Sequence, residues 1–278
     1  MDNRITQALR RYHDRVSHSR EVMFTSLYGS QNYGLDTPES DVDAYSITVP
    51  SRHELIFGYP SGEDPVKSTP SSSYCYNTGK VTVKDVRQMM DAYVKQSINF
   101  CETLFTPYII INPHYAAEVA ELRAHAEEIA SADLYQQLRT TEGMLQSQMV
   151  KVHAPVTPTI ADSPTRMKHL ARAMHCWQFI QRRSRGATFA DALVENEEWV
   201  EWFALMRTLK NGAWDADAMA PIASTLAKDA KAFWEKYKLE HDPDEHRRAR
   251  AELRNELADI ACSAIVKNVE RQDGEAVE

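Results

Sequence analysis

Glu21-Val-Met-Phe-Thr-Ser-Leu-Tyr28, Gly29-Ser-Gln-Asn-Tyr-Gly34-Leu-Asp-Thr-Pro38-Glu-Ser40 and Asp41-Val-Asp43-Ala-Tyr-Ser-Ile-Thr-Val49 follow one another without a break. The first segment is rich in apolar and β-favouring residues and stops at glycine, which predicts a short buried strand. The second is dense in Gly, Asn, Asp, Pro and Ser and predicts a turn or loop. The third reads as another strand, stopped by Pro50. In a strand, side chains at i and i+2 share a face. Asp41 and Asp43 therefore point the same way, roughly 6 to 7 Å apart at the backbone. Two like charges so placed repel unless one is protonated or a cation lies between them, and hard divalent ions favour carboxylates together with substrate phosphates. Gly29 permits close backbone approach and Ser30 adds a hydroxyl, a pairing suited to phosphate oxygens.

Outward from this stretch, Ile5, Ala8, Leu9, Tyr12 and Val16 recur at helical spacing and predict a first helix over residues 3 to 16. Downstream, Gly58 to Ser73 holds three prolines, two glycines and five serines, the composition of a mobile loop. Val83 to Lys95 places Val83, Val86, Met89, Met90 and Tyr93 on one helical face, and Phe100 to Phe105 reads as a third strand. The N-terminal part is thus αββαβ. After Pro113 helical patterns dominate, over Arg166 to Arg183, Glu198 to Leu209, Ala218 to Tyr237 and Ala249 to Val269, interrupted by the proline cluster of Val152 to Pro164. The expected class is α+β: an N-terminal αββαβ domain with a small mixed sheet over residues 1–114, then an α-helical domain over 115–278. The polar tail from Arg271 to Glu278 is expected to fray.

Bulk composition narrows the partners. The chain has 278 residues, 43% hydrophobic and 26% charged, which fits a packed globular protein and neither a disordered nor a fibrous one. Its apolar runs, Tyr108 to Asn112 among them, are far shorter than the roughly 20 residues that span a bilayer. No charged-then-apolar leader follows Met1, so a cytoplasmic location is expected. Cys75, Cys101, Cys176 and Cys262 form no C-x-x-C pair and read as buried, reduced thiols. A net charge of -8 argues against indiscriminate coating of nucleic acid.

Locally the balance reverses. Lys151 to Gly186 carries seven Lys or Arg and one acid, Asp162. Lys168, Arg172, His175 and Arg182, at offsets 0, 4, 7 and 14, are expected on one helical face turned away from the apolar stripe, where they would bind a triphosphate or an RNA backbone. Other candidates fare worse. His241-Asp-Pro-Asp-Glu-His246 matches no familiar zinc spacing and reads as a linker. Trp199 and Trp202, three apart, have the spacing of core packing rather than of base stacking. No nucleophile elbow and no G-x-x-x-x-G-K-[ST] loop is present.

A strand, a Gly-Ser turn and a D-x-D strand together resemble the DNA polymerase β-like nucleotidyltransferase superfamily, whose signature is h-G-[GS] followed by [DE]-h-[DE]. Within it the string from Gly29 to Asp43 is similar to the RNA-repair-associated, YcgL-like branch of bacteria and their phages, which shows Gly-Ser-x-x-x-Gly-Leu-x-Thr-Pro-x-Ser-Asp-x-Asp. The branch's third acid sits in an Asn-x-x-Glu-Leu-Phe-like strand, which Asn99-Phe-Cys-Glu102-Thr-Leu-Phe105 resembles. Its Lys-His helix is matched by Arg166-Met-Lys168-His169-Leu-Ala-Arg172. The resemblance covers residues 24 to 210 and is dense only in the first hundred. Two features depart from it: Ala44-Tyr45-Ser46 stands where many relatives have a basic residue, and the serine-rich stretch before Cys75 has no counterpart.

The resemblance implies a metal-dependent transfer of a nucleoside monophosphate from an NTP to an acceptor hydroxyl, with pyrophosphate released. Asp41, Asp43 and Glu102 would be the catalytic carboxylates and would hold two Mg²⁺ or Mn²⁺ ions about 4 Å apart. Gly29, Ser30, Lys168 and Arg172 would bind the nucleotide. The implied acceptor is an RNA 3′ end, a tRNA among the candidates, held by the segment from Lys151 to Gly186. Two alternatives stand beside it: nucleotidylation of a protein or small-molecule hydroxyl, and a non-catalytic nucleotide- or RNA-binding module.

Overall fold

The structure, a computed structural model, describes residues 2–58, 72–76, 79–153, 163–212, 216–245 and 247–275. Most of the segment expected as a mobile loop and most of the proline cluster after Val152 lie outside the described residues. The class is α+β, with one small mixed sheet of five strands. The strands are β1 (Glu21–Tyr28), β2 (Val42–Val49), β3 (Ser72–Tyr76), β4 (Gly79–Asp85) and β5 (Ile109–Ile111), ordered β3-β4-β2-β1-β5. All pairs are antiparallel except β2 with β4.

Helix α1 (Asn3–Ser17) lies on one face of this sheet. Ile5, Leu9, Tyr12 and Val16 pack there against Val22, Val42, Ala44, Val81 and Val83, and the Tyr12 hydroxyl donates to the Val42 carbonyl at 3.0 Å. Because Val42 and Ala44 face α1, strand alternation sends Asp43 and Tyr45 to the opposite face, where the site forms. There Tyr45 stacks on Tyr28 and tilts against Phe100.

Three expectations about elements are corrected. The helix expected from Val83 begins at Val86 instead, giving α3 (Val86–Val94). Residues Lys80 to Lys84 alternate polar and apolar with period two, so they extend β4. Asp85 then caps the helix by accepting from the Arg87 and Gln88 N–H groups at 2.9 and 3.0 Å. Strand β3, from the serine-rich stretch, pairs with β4 as a hairpin edge. Residues 100 to 105 do not form a strand: they lie in a short helix, α4 (Ile98–Cys101), and a 3₁₀ turn over Glu102–Leu104. A six-residue segment without strict alternation fits a buried helix as well as a strand, and here burial of Phe100, Cys101 and Leu104 together with Glu102 and Thr103 goes with the helix. The edge of the sheet beside β1 is formed by β5.

The remaining helices are α2 (Arg52–Phe57), α5 (Ala116–Ala124), α6 (Ala126–Ser131), α7 (Leu134–His153), α8 (Ser163–Ser184), α9 (Phe189–Leu193), α10 (Val200–Lys210), α11 (Ala216–Glu240) and α12 (Arg247–Glu275). A first core joins the sheet to α3, α5, α9 and α12 through residues such as Phe24, Ile47, Met89, Val119, Phe189 and Leu257. A second holds α7, α8, α10 and α11 together around Leu145, Leu170, Met174, Phe203 and Leu226. Trp199 and Trp202 are half-buried against that core, and the Trp202 indole donates to the Met174 carbonyl. The tail does not fray at Arg271: α12 runs on to Glu275, and Arg271 pairs with Glu21 at 2.6 Å. Cys101 and Cys176 are buried as expected, whereas Cys75 and Cys262 are exposed. Among the described residues no helix is long and apolar enough to cross a membrane.

Candidate active site

A cleft of about 300 Å³ opens where the 29–43 segment meets α8 and α10. Asp41, Asp43, Glu102, Gly29, Ser30, Lys168 and Arg172 line it, and of the other two basic-face candidates His175 does and Arg182 does not. Their placements differ in kind.

Gly29 has φ +101° and ψ -161°, a region open in practice only to glycine. That backbone turns the chain out of β1 into a 3₁₀ turn over Ser30–Asn32 and aims the Gly29 N–H at the Glu102 carboxylate, 2.7 Å away. The turn is further closed by Asn32, whose N–H donates to the Gly29 carbonyl and whose side-chain amide reaches the Leu27 carbonyl. Gln31 donates to the Asp41 carbonyl at 2.6 Å, tying the start of the loop to its end.

Asp41 sits exposed at the entry to β2, and Asp43 stands half-buried in register with Tyr28 on one side and Lys80 on the other. Burial raises the Asp43 pKa and repulsion from Asp41 adds to it, against the opposing pull of Lys80 and Arg172. Gly79 makes this pairing possible: a Cβ there would lie 2.1 Å from the Val42 carbonyl oxygen, so β4 can approach the D-x-D strand only with glycine at its start.

Glu102 is 2% exposed, on the 3₁₀ turn rather than on a strand. Burial pushes its carboxyl up to about 8, although the Gly29 N–H favours the ionised form. Its Oε2 atom is buried without a hydrogen-bond partner. Among the described residues no group of three or more His, Cys, Asp or Glu side chains is placed to hold a metal ion, and the Glu102 carboxyl is engaged by the Gly29 N–H. The donor set that remains, two neighbouring carboxylates open to the cleft, suits a magnesium-type ion whose other ligands are phosphate oxygens and water.

The opposite wall is cationic. Lys168 and Arg172, one turn apart on α8, are exposed to the cleft and make no hydrogen bond or ion pair among the described residues. The basic face expected beyond them is absent. His175 and Arg182 are each 6% exposed and are held inside by the Leu193 and Val194 carbonyls. The α8–α9 packing buries them, and burial pushes the His175 pKa down to about 4. His175 stacks instead on Tyr33 at 4.1 Å, forming part of the cleft floor.

Two cleft lysines escaped the sequence reading. Lys80 belongs to β4, whose alternation was the signal that could have found it. Lys210 ends α10, and its ammonium donates to the Leu35 carbonyl, while Arg207 of the same helix donates to the Gly34 carbonyl at 3.0 Å. No local signal marks either contact, since each spans more than 170 residues.

No protein-family model matches this chain, and a comparison with curated proteins finds no match. Among solved structures, the crystal structure of a nucleotidyltransferase-like protein from Exiguobacterium sibiricum 255-15 is similar at a TM-score of 0.32 and 12% identity, over 95% of this chain and 77% of that one. Function is therefore read from the cleft itself.

Proposed function

We propose that this chain is a nucleotidyltransferase that moves a nucleoside monophosphate from an NTP to an acceptor hydroxyl. The acceptor oxygen bonds to the α-phosphorus, the α–β bridging bond breaks, pyrophosphate leaves, and the hydroxyl proton passes to solvent or to a carboxylate. The observation that carries this reading is one cleft with acids on one wall, unpaired cations on the other and a glycine turn at its edge. Such polarity fits a substrate that is anionic yet must be reached through a divalent cation.

Asp41 and Asp43 would hold a Mg²⁺ or Mn²⁺ ion. When bound, that ion supplies charge neutralisation on the phosphates and lowers the pKa of an acceptor hydroxyl. Gly29 and Ser30 present a backbone bend and a hydroxyl at the mouth of the cleft, suited to phosphate oxygens. Lys168 and Arg172 grip the phosphates by charge-assisted hydrogen bonds and offset the charge that grows on the leaving group. Glu102 acts chiefly by holding Gly29 in place, rather than as the third metal ligand expected from the sequence.

The acceptor we favour is an RNA 3′ end, as the sequence resemblance implies, entering along Lys168 and Arg172. Burial of His175 and Arg182 shrinks the basic surface available to a long RNA and favours, as the second reading, a protein or small-molecule hydroxyl. Incubation with labelled NTPs and either total RNA or a protein lysate separates the two: label in protein alone rejects the RNA acceptor. Pyrophosphate release measured with each NTP, with and without tRNA, tests the transfer itself.

A further inference from the structure

Lys210 projects from the last turn of α10 into the same cleft as Lys168 and Arg172 of α8. Three cations from two helices thus face one space, and the only described acid that offsets Lys210 electrostatically is Asp36. An ammonium has three donors, and among the described residues Lys210 makes one hydrogen bond, to the Leu35 carbonyl. Gathering like charges in a partly buried space costs free energy unless an anion joins them. Burial, then Arg172, then Lys168 push the Lys210 pKa down to about 8, which reports the same crowding.

We infer that Lys210 is a third phosphate-binding cation of this cleft, and that it selects a polyphosphate chain long enough to reach it from Lys168 and Arg172. The inference rests on the nucleotidyl-transfer reading and sharpens it. A single phosphate would be held by the α8 pair, whereas a triphosphate tail would also reach α10, whose Lys210 lines the same cleft and feels the charges of Arg172 and Lys168. Because Lys210 also holds Leu35, the tail would bind against the loop that carries Gly29 and Ser30, drawing phosphate grip and loop position together.

Calorimetric titration of the full chain with tripolyphosphate and with inorganic phosphate tests this. The wild type is expected to bind tripolyphosphate the more tightly. Lys210→Gln should weaken tripolyphosphate roughly tenfold or more, the weight of one hydrogen bond to a charged group, and change phosphate binding less than about twofold, while Lys210→Arg keeps the preference. A second measurement needs no variant: saturating tripolyphosphate should shield Lys210 from amine acylation in the folded wild type and leave the exposed Lys236 unshielded. Unchanged tripolyphosphate affinity in Lys210→Gln, or unshielded Lys210, overturns the inference. If the wild type still releases pyrophosphate from an NTP, only this inference falls. If Lys210 is shielded but no NTP yields pyrophosphate, the transfer reading falls and the polyphosphate site stands. A wild type that binds neither anion overturns the inference, and the transfer reading falls with it only if no NTP yields pyrophosphate.

Discussion

Glu102 accepts the backbone N–H of Gly29 at 2.7 Å, across 73 residues of sequence. The bond joins the 3₁₀ turn after α4 to the bend that leaves β1, and it gives the buried carboxyl a donor. A glutamine side-chain carbonyl can accept the same N–H. Glu102→Gln should therefore keep the turn and most of the activity, whereas Glu102→Ala should lose about 1 to 3 kcal/mol of stability by leaving the Gly29 N–H unpaired and lower the rate at least tenfold. Urea unfolding and pyrophosphate release check both. Equal loss in the two variants would assign Glu102 to the metal or to proton transfer.

The same residue sets a pH dependence. Its folded pKa, up to about 8, lies above the ordinary glutamate value of 4.5, so the folded state holds a proton that the unfolded chain releases. That contribution to stability is complete below about pH 4.5 and is lost as pH rises through about 8. Relative to Glu102→Gln, the wild type should lose stability steadily between pH 5 and 8 and run parallel to it above. His175, held neutral with a folded pKa of about 4, acts in the opposite direction: its contribution is present above pH 6.5 and disappears as pH falls toward 4. Unfolding curves of the two proteins across this range isolate the glutamate, because the histidine is common to both.

Gly79 and Gly29 both have a left-handed φ, +140° and +101°, and differ in the space around them. At Gly79 an added methyl would strike the Val42 backbone, so Gly79→Ala should push β4 off the strand that carries Asp43 and reduce stability and activity together. At Gly29 no atom lies within 4 Å of an added Cβ, and the penalty of Gly29→Ala is conformational, about 1 to 3 kcal/mol. Thermal melts, with activity of the surviving folded fraction, distinguish a displaced strand from a strained turn.

Asp43→Asn should separate stability from function. Removing one of two neighbouring carboxylates relieves the repulsion and burial that raise the Asp43 pKa, so the variant should be as stable as the wild type or slightly more so in the absence of metal. Its stabilisation by added Mg²⁺, seen as a rise in melting temperature, should be lost.

Much of this was legible in the sequence because it is local. The periodicity of Ile5, Ala8, Leu9, Tyr12 and Val16 marks α1, and all five are buried. The strands either side of the Gly29 loop fall where composition and punctuation put them. Residues 100 to 105 misled because Phe-Cys-Glu-Thr-Leu-Phe is too short to show a period, and what shapes it is packing from α3, α6 and α7. Lys168 and His175 show the same limit on one helix: spacing places them on a common face, but only the arrival of α9 buries the histidine and leaves the lysine in the cleft. Lys210 was illegible altogether, since its partner Leu35 lies at the far end of the chain and is met only through the fold.

The most direct test of nucleotidyl transfer is pyrophosphate release from each NTP, with and without Mg²⁺, by the wild type and by the Asp41→Asn/Asp43→Asn double variant, the folded state of each confirmed. Magnesium-dependent release by the wild type with at least one NTP, reduced about a hundredfold or more in the folded double variant, is the expected result. Release that persists in the double variant, or NTP binding by the wild type with no release across RNA, protein and small-molecule acceptors, would contradict it.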